Sequence, residues 1–446
     1  MPGPYVSIPP LLIVAGCVGP AGARAHEATL VELHRLEPTG PAQLDDELAL
    51  GTPALDRAAL VAAVLGRNPE LDQARETWRA AAAAYPATVA GADPMLTYEV
   101  APFSITGQVP YGQRIELRQK LPSPRRRELA GEAALADADA ARADYGTLRL
   151  ALAEAAVQAF DDDNVAARAV EVNAHHRAML DQILASVRTQ YTVGRAGQAD
   201  LLEAEGEVIA LERERLMLDT QQRAATARIN RMLRRRPDAA LPPPPDQLPA
   251  AAPATLVVQD PKAAAEARVR ERRAELAGAG RAFYPDLEVM AGYDSMFDAW
   301  QHQLTLGIAV EIPLERHGRH AAIERARAAL AAATAELTVV GDVLAEERER
   351  ARREVDEATA VLALYEQRAV PNARARASAA LAGFTAGQAA FSMVIMAERA
   401  LREVELDLER ARADLDRRTA TLDRLSGRIA GGVAAATPAG AAGGAP

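Results

Sequence analysis

The stretch Tyr191-Thr192-Val193-Gly194 recurs 193 residues later as Phe384-Thr385-Ala386-Gly387. Ala204-Glu205 recurs as Ala397-Glu398 at the same displacement, and upstream Lys120-Leu121-Pro122 pairs with Glu311-Ile312-Pro313. A shared order and a nearly constant offset indicate an internal duplication. We therefore expect the chain to contain two copies of one structural unit.

The copies are predicted at residues 53–236 and 259–428, joined by a proline-rich linker at 237–258. Within the linker, Pro242 to Pro245 are four successive prolines, which cannot continue a helix. Residues 1–16 are predicted to be a signal peptide and 17–52 an extended N-terminal segment. The Ala/Gly/Pro-rich tail at 429–446 is predicted to be disordered.

Each copy is predicted to run helix, two strands, then a long helical hairpin. The strand pairs fall at about 94–121 and 285–313. Alternating apolar residues such as Leu304, Leu306 and Ile308 place one face of each strand against apolar surroundings. The alternative is a small soluble sheet that packs one face on the helices.

Aromatic residues favour a membrane setting for these strands. They make up only 4% of the chain, yet several lie in or beside the strand pairs. Aromatics at strand ends are typical of the interface girdle of an outer-membrane barrel. The candidate interface residues are Tyr98, Phe103, Tyr111, Tyr293, Phe297 and Trp300.

The helices are predicted to be unusually long. About 70 residues separate Pro122 from Gly194 and Pro313 from Gly387, which corresponds to roughly 100 Å of helix in each copy. Apolar residues at helical spacing, including Leu180, Ile183 and Val187, predict packing seams rather than cofactor sites. In the second copy Val394, Leu401, Leu408, Leu415 and Leu422 stand seven apart, as in a coiled coil.

Bulk composition excludes several functions. The net charge is −10 with both signs interleaved, so no basic face for nucleic acid is expected. No stretch of about 20 apolar residues predicts a transmembrane helix. His317 and His320 have a metal-ligand spacing but lack a third ligand, and no phosphate loop or nucleophile motif is present. We expect neither an enzyme nor a resident cofactor.

The single cysteine has a specific setting. Leu11 to Gly16 form a short apolar run that ends in small residues directly before Cys17. Such a run is too short to span a membrane and resembles a lipoprotein signal peptide. The sequence therefore predicts cleavage before Cys17 and lipidation of its sulfur, typically with palmitate among the acyl chains.

The order of elements resembles the TolC family of outer-membrane efflux proteins. Residues 119–125, which include Pro122, resemble the strand-to-helix signature of drug- and metal-efflux members, and residues 310–319, which include Pro313, resemble its second-half equivalent. Residues 191–194 resemble the periplasmic tip. The resemblance implies a homotrimer with a 12-stranded β-barrel continuous with a 12-helix periplasmic coiled-coil tunnel.

The resemblance also implies a passive outer-membrane duct for small solutes, served by a periplasmic adaptor and an inner-membrane pump, most often of the RND type. A type I protein secretion duct is the alternative, and an adaptor or structural coiled coil is a more distant one. Asp200 and Ser392 are expected to cap the returning helices. The predicted adaptor-docking tip comprises Val193, Gly194, Arg195, Gly197, Asp200, Ala386, Gly387 and Gln388.

Overall fold

The computed structural model describes residues 20–36, 54–101, 112–194, 196–248, 260–295 and 302–429. The helices are α1 (Pro20–Arg35), α2 (Arg57–Arg67), α3 (Pro69–Val89), α4 (Pro124–Thr192), α5 (Gln198–Met232), α6 (Ala263–Gly280), α7 (His317–Leu364), α8 (Val370–Thr385) and α9 (Phe391–Leu425). The strands are β1 (Met95–Val100), β2 (Gln113–Leu121), β3 (Asp286–Ser295) and β4 (His302–Glu311). The expectation of a mainly helical chain with a small β part is confirmed.

The four strands form one antiparallel sheet in the order β1-β2-β3-β4. Tyr98 lies opposite Ile115, Ile115 opposite Tyr293, and Tyr293 opposite Leu304. The pair β2–β3 joins the two sequence copies, because β2 belongs to the first copy and β3 to the second. Neither β1 nor β4 has a second neighbour among the strands described.

The chain divides into two compact units that cut across the sequence copies. The sheet unit comprises residues 1–37, 75–142 and 262–340, and the hairpin unit comprises 38–74, 143–261 and 341–446. The sheet unit contains all four strands. The hairpin unit contains both Gly turns.

Helix α1 corrects the prediction of an extended segment at 17–52. Its Leu33 packs in a buried cluster with Trp78, Ala82 and Ala138. Arg142 is paired with Glu32 of α1 at 2.8 Å. The sequence signal was weak because α1 is short, and a helix of this length depends on tertiary packing for its stability.

The core of the hairpin unit lies where α2, α4, α5 and the linker meet. Phe160, Ile229 and Leu233 are almost fully buried there. The linker is anchored, since the Leu55 amide donates to the Pro243 carbonyl at 2.8 Å. Ile429 is also buried in this cluster, which corrects its assignment to the tail.

The second long helix is interrupted, contrary to the prediction of one helix from 313 to 387. Helix α7 ends at Leu364, a π-helical turn spans Tyr365–Ala369, and α8 then begins. Pro371 explains the interruption because it has no amide hydrogen to donate to the preceding turn. A wider π turn accommodates that missing bond.

Among the residues that the structure describes, one helical segment meets the length and composition criteria for a membrane span. Residues His317–Thr385 contain an 18-residue window with a mean hydropathy of 1.5, of which 11% is buried. The sequence alone predicts no such span, because about 20 apolar residues in succession do not occur there. Core helices of soluble proteins meet the same length and composition criteria.

Candidate functional site

The first tip turn, residues 193–197, follows the end of α4. Gly194 has a φ of 75°, and its amide donates to the Tyr191 carbonyl at 3.0 Å. A Cβ placed on Gly194 would meet no atom within 4 Å. The glycine is therefore required by the left-handed backbone and not by lack of space. Val193 beside it is 64% exposed.

The return into α5 differs in detail from the prediction. Gly197, and not Asp200, occupies the N-cap position of α5. Asp200 lies one turn inside the helix, where its carboxylate accepts a hydrogen bond from the Gly197 amide at 3.0 Å. This is the reciprocal half of a capping box, which satisfies a backbone donor at the helix start. Arg195, the remaining predicted docking residue of this turn, lies outside the described residues.

The second tip turn, residues 386–390, repeats this geometry. Gly387 has a φ of 71°, and the Gln388 amide donates back to the Gly383 carbonyl at 2.8 Å. Ala386, Gly387 and Gln388 are exposed. Ala390 precedes α9 as its N-cap, so the prediction that Ser392 caps this helix is wrong. Ser392 lies inside the first turn of α9.

A buried apolar cluster lies between the helices that flank the two turns. Leu180, Ile183 and Val187 of α4 pack with Leu211 of α5 and with three residues of α9, namely Phe391, Val394 and Ile395. Phe384 and Phe391 make an edge contact with ring centroids 5.3 Å apart. The predicted seam residues are thus core. The repeat marks Phe384 only as a turn residue, and its contact with Phe391 depends on tertiary packing that no local pattern shows.

The sheet carries an exposed apolar face in the sheet unit. Leu304, Leu306 and Ile308 of β4 are 71%, 79% and 74% exposed. Leu96 and Tyr98 of β1 share this face by register. Exposure on this scale differs from a soluble sheet, in which the apolar face packs on helices.

The opposite face of the sheet is polar. Arg114 donates to Asp294 at 2.6 Å, and Arg118 donates to Glu116 at 2.6 Å. Thr305 and Gln303 of β4 lie on the same face by alternation. The strands therefore have an apolar face and a charged face, the pattern of strands that separate lipid from water.

Of the predicted interface aromatics, Tyr98 and Tyr293 lie on the apolar face, where Tyr98 is 60% exposed. Phe103, Tyr111, Phe297 and Trp300 lie outside the described residues. The strand-to-helix junctions at Pro122 and Pro313 each place a carboxylate beside a backbone donor. Asp286 accepts from the Ser123 amide at 3.2 Å, and Glu315 accepts from the Gly318 amide at 2.9 Å.

A buried charged cluster in the hairpin unit escaped the sequence analysis. Arg57 of α2 is hydrogen-bonded to Asp416 of α9, and both side chains are at least nine-tenths buried. Asp161 of α4 is fully buried next to them, and neither of its oxygens has a hydrogen-bond donor. Burial first, and then the charge of Asp416, raise the pKa of Asp161 to about 9. Burial therefore favours the neutral, protonated form of Asp161 at neutral pH.

No group of three His, Cys, Asp or Glu side chains within the described ranges is placed to hold a metal ion. His317 is exposed at the start of α7. The ring of His320 packs on Phe283 at 5.1 Å. These two histidines therefore serve as polar residues at a helix start.

Known proteins match both the sequence and the fold. Residues 262–428 match the family described as outer membrane efflux protein. No curated protein matches the chain. The outer-membrane channel OprN is 21% identical, with a TM-score of 0.71, and the match covers 83% of this chain and 89% of that one.

Two further channels match over similar lengths. VceC from Vibrio cholerae is 17% identical with a TM-score of 0.71, covering 84% of this chain and 96% of its own. CmeC from Campylobacter jejuni is 13% identical with a TM-score of 0.67, covering 87% and 92%. The chain thus has the fold of the TolC-like outer-membrane channels. Residues 262–428 are similar in sequence to outer membrane efflux proteins, and the fold of the chain is similar to that of outer-membrane channels.

Proposed function

We propose that this chain is one third of a trimeric outer-membrane duct through which small solutes leave the cell. The duct receives them from an inner-membrane pump, of the RND type, through a periplasmic adaptor. The observation that carries this proposal is the four-stranded sheet, which has one apolar face and one charged face. The duct itself is passive, and the pump selects the solute.

Trimerisation follows from the edges of the sheet. Strands β1 and β4 each leave one edge unpaired within the described chain. Open edges are not tolerated in lipid, because every backbone donor and acceptor must be satisfied there. Antiparallel pairing of β4 with β1 of the next copy would satisfy both edges. Three copies then give a closed barrel of 12 strands, with the face of Leu306 toward lipid and the face of Arg114 toward water.

The tip turns are the proposed adaptor-docking surface. Gly194 and Gly387 leave open space where a side chain would project, and Val193 and Gln388 are exposed beside them. Because glycine has no side chain, a second helical hairpin can approach the backbone of each turn closely. Both turns end a hairpin of the same unit, so one adaptor hairpin can contact equivalent backbone in each copy.

Helix α1 supports a lipid anchor at Cys17, which itself lies outside the described residues. A Cβ on Gly22 would touch the Tyr85 ring, whereas Leu33 packs with Trp78. Helix α1 therefore runs antiparallel to α3. Its first residue, three after Cys17, lies toward the end of α3 that leads into β1. An acyl chain on Cys17 would then lie on the membrane side of the sheet unit.

Glycine substitution tests the docking proposal. The double variant Gly194→Leu, Gly387→Leu should abolish export and adaptor cross-linking while trimers still accumulate in the outer membrane. Gly278→Leu, in α6, is the matched control, because it also faces open space but has an ordinary helical φ. Export at the wild-type level in a well-expressed double variant would contradict adaptor docking at the tips.

Mass measurement tests the assembly itself. In mild detergent the particle should have about three times the protomer mass, and mass spectrometry of the mature N-terminus should find acylated Cys17. A stable monomer would refute the trimeric barrel. An unmodified chain that begins at Met1, or cleavage downstream of Cys17, would refute the lipid anchor.

A further inference from the structure

A second buried polar group joins the two hairpins of the hairpin unit. His176 of α4 lies between two glutamates of α9 that stand seven residues apart. Its Nε2 is 3.1 Å from an oxygen of Glu405, and its Nδ1 is 3.5 Å from an oxygen of Glu398. The histidine side chain is 4% exposed, and the two carboxylates are 12% and 16% exposed.

This arrangement requires the doubly protonated ring. An ionised carboxylate only accepts hydrogen bonds, and a neutral imidazole carries one donor. In a neutral His176, the nitrogen without a proton would face one of the two glutamates with a lone pair, and two acceptors cannot form a hydrogen bond. Only imidazolium satisfies both contacts at once. The geometry of the three side chains alone leads to this conclusion.

The neighbouring charges do not replace the histidine. Arg374 of α8 donates to Glu405 at 2.9 Å, so that carboxylate has a second cation. Oε2 of Glu398 is buried and has no hydrogen bond of normal length, and Nδ1 of His176 lies 3.5 Å from it. The remaining charged groups around the cluster are Glu207 and Glu214 of α5 and Arg399 and Arg402 of α9, and these pair with one another.

Beside the histidine is a small cavity of about 20 Å³, lined in part by His176, Glu398 and Arg402. It can hold about one water molecule. A single water cannot replace the positive charge between two carboxylates. Loss of the ring proton therefore leaves the Glu398 side of the contact without a cation.

We propose that His176 is a pH-sensitive clamp that holds the first hairpin against the second when it is protonated and loosens that contact as the pH rises. The clamp is a property of the hairpin unit and does not depend on the proposed export function. Among side chains, imidazole is the one that titrates near neutrality, so modest changes in the periplasm can act on it.

The direction of the pH effect follows from the environment of the ring. Burial disfavours the charged form, but the hydrogen bonds to Glu398 and Glu405 outweigh burial, and the pKa of His176 is raised above 6.5. The hydrogen bond from His176 in turn lowers the pKa of Glu405. The clamp is thus complete below the pKa of an unfolded histidine and is lost as the pH rises through the folded value.

Hydrogen exchange of the purified full-length protein in detergent tests the clamp. Exchange rates of peptides from residues 170–185 and 395–410 are compared between His176→Gln and wild type at the same pH, so that the intrinsic pH dependence of exchange cancels. At pH 6 the peptides of His176→Gln should exchange roughly ten times faster than those of wild type, the ratio expected for loss of a buried charge-assisted hydrogen bond. The ratio should fall toward one as the pH rises toward 9, because deprotonation of the wild-type ring removes the same contact.

Two further variants make the result decisive. His175→Gln is the matched control, because His175 is the adjacent residue but is exposed, and its ratio should stay near one at both pH values. Glu398→Gln keeps the volume and can donate to a neutral ring, so its exchange should depend less on pH than that of wild type. A ratio for His176→Gln that does not change between pH 6 and 9, or an unchanged pH dependence in Glu398→Gln, would overturn the proposal.

Discussion

Asp161→Asn should stabilise the protein at neutral pH. Asp161 is a fully buried carboxyl group with no donor on either oxygen, and the nearest cation, Nε of Arg417, is 3.9 Å away. Asparagine has nearly the same shape, is neutral at every pH, and can donate its amide to Asp416. The substitution removes the cost of protonating a buried acid and leaves the packing unchanged.

The magnitude follows from proton linkage. In the unfolded chain the carboxyl group titrates near 3.8, and in the folded chain near 9. Folding at pH 7 therefore takes up a proton, at a cost of about 1.4 kcal/mol for each pH unit between 3.8 and 7, or about 4 kcal/mol. The folded pKa is raised, so this cost appears above pH 4 and grows until the pH reaches the folded value. At pH 5 it is only about 2 kcal/mol.

Thermal unfolding followed by circular dichroism measures the effect. With an unfolding entropy of about 2.1 cal/mol/K per residue, the whole chain should gain about 4 °C in Tm at pH 7. The gain should shrink at pH 5. Asp162→Asn is the control, because Asp162 is partly exposed and paired with Arg228 and Arg417 at 2.6 Å each, so its loss should leave Tm unchanged or lower it.

A lower Tm for Asp161→Asn at pH 7 would refute this reasoning. It would mean that Asp161 is ionised in the folded protein and is stabilised by Arg417 and Arg57. A gain of equal size at pH 5 and pH 7 would also contradict it, because the benefit would then come from packing and not from the proton.

Arg57→Ala should destabilise the protein by about 3–5 kcal/mol, because it leaves Asp416 buried without its cation, and the Tm measurement detects this. Leu306→Arg should reduce the yield of trimers in the outer membrane, because a lipid-facing arginine costs about 2–4 kcal/mol. Gln303→Arg, on the polar face, should be tolerated. Equal trimer yields for the two variants would contradict the assignment of the faces. Pro371→Ala restores an amide donor and should protect the 365–369 turn from hydrogen exchange, and unchanged exchange there would show that the proline does not cause the turn.

Periodic features of the fold could be predicted from the sequence. The strands were found within a few residues because the alternation in Leu304, Leu306 and Ile308 runs up to Pro313. The Gly194 and Gly387 turns were found because they recur at a fixed offset, and both glycines have a positive φ in the structure. Features that repeat along the chain can be recognised before any tertiary contact is known.

Features that depend on distant pairs could not be predicted. Asp161 and Asp416 are far apart in sequence, and each alone is an ordinary acid on a charged helix. His176 was similarly indistinguishable from His175, since only packing against α9 buries one and exposes the other. The break in the second long helix had a local signal in Pro371, but the long helical pattern on both sides obscured it.

The buried ionisable groups of α4 act in the same direction on stability, which leads to a final prediction. Asp161 ionises as the pH rises, and so does Asp163, whose pKa burial raises to about 6 although a hydrogen bond from Thr226 opposes the shift. His176 loses its positive charge at a higher pH than that at which Asp163 ionises, because its pKa is raised above 6.5. Each of these three changes adds uncompensated negative charge inside the hairpin unit.

The protein should therefore be most stable in mild acid and lose Tm steadily toward pH 9, in contrast to proteins whose buried carboxylates are paired. Glu405, whose pKa is lowered chiefly by His176, opposes this trend only in stronger acid, where it takes up a proton. In the double variant Asp161→Asn, His176→Gln, the fall in Tm between pH 6 and 9 should largely disappear, whereas Asp163→Asn should act only between about pH 4 and 6. A double variant that retains the wild-type slope between pH 6 and 9 would show that groups outside α4 set the alkaline lability of the protein.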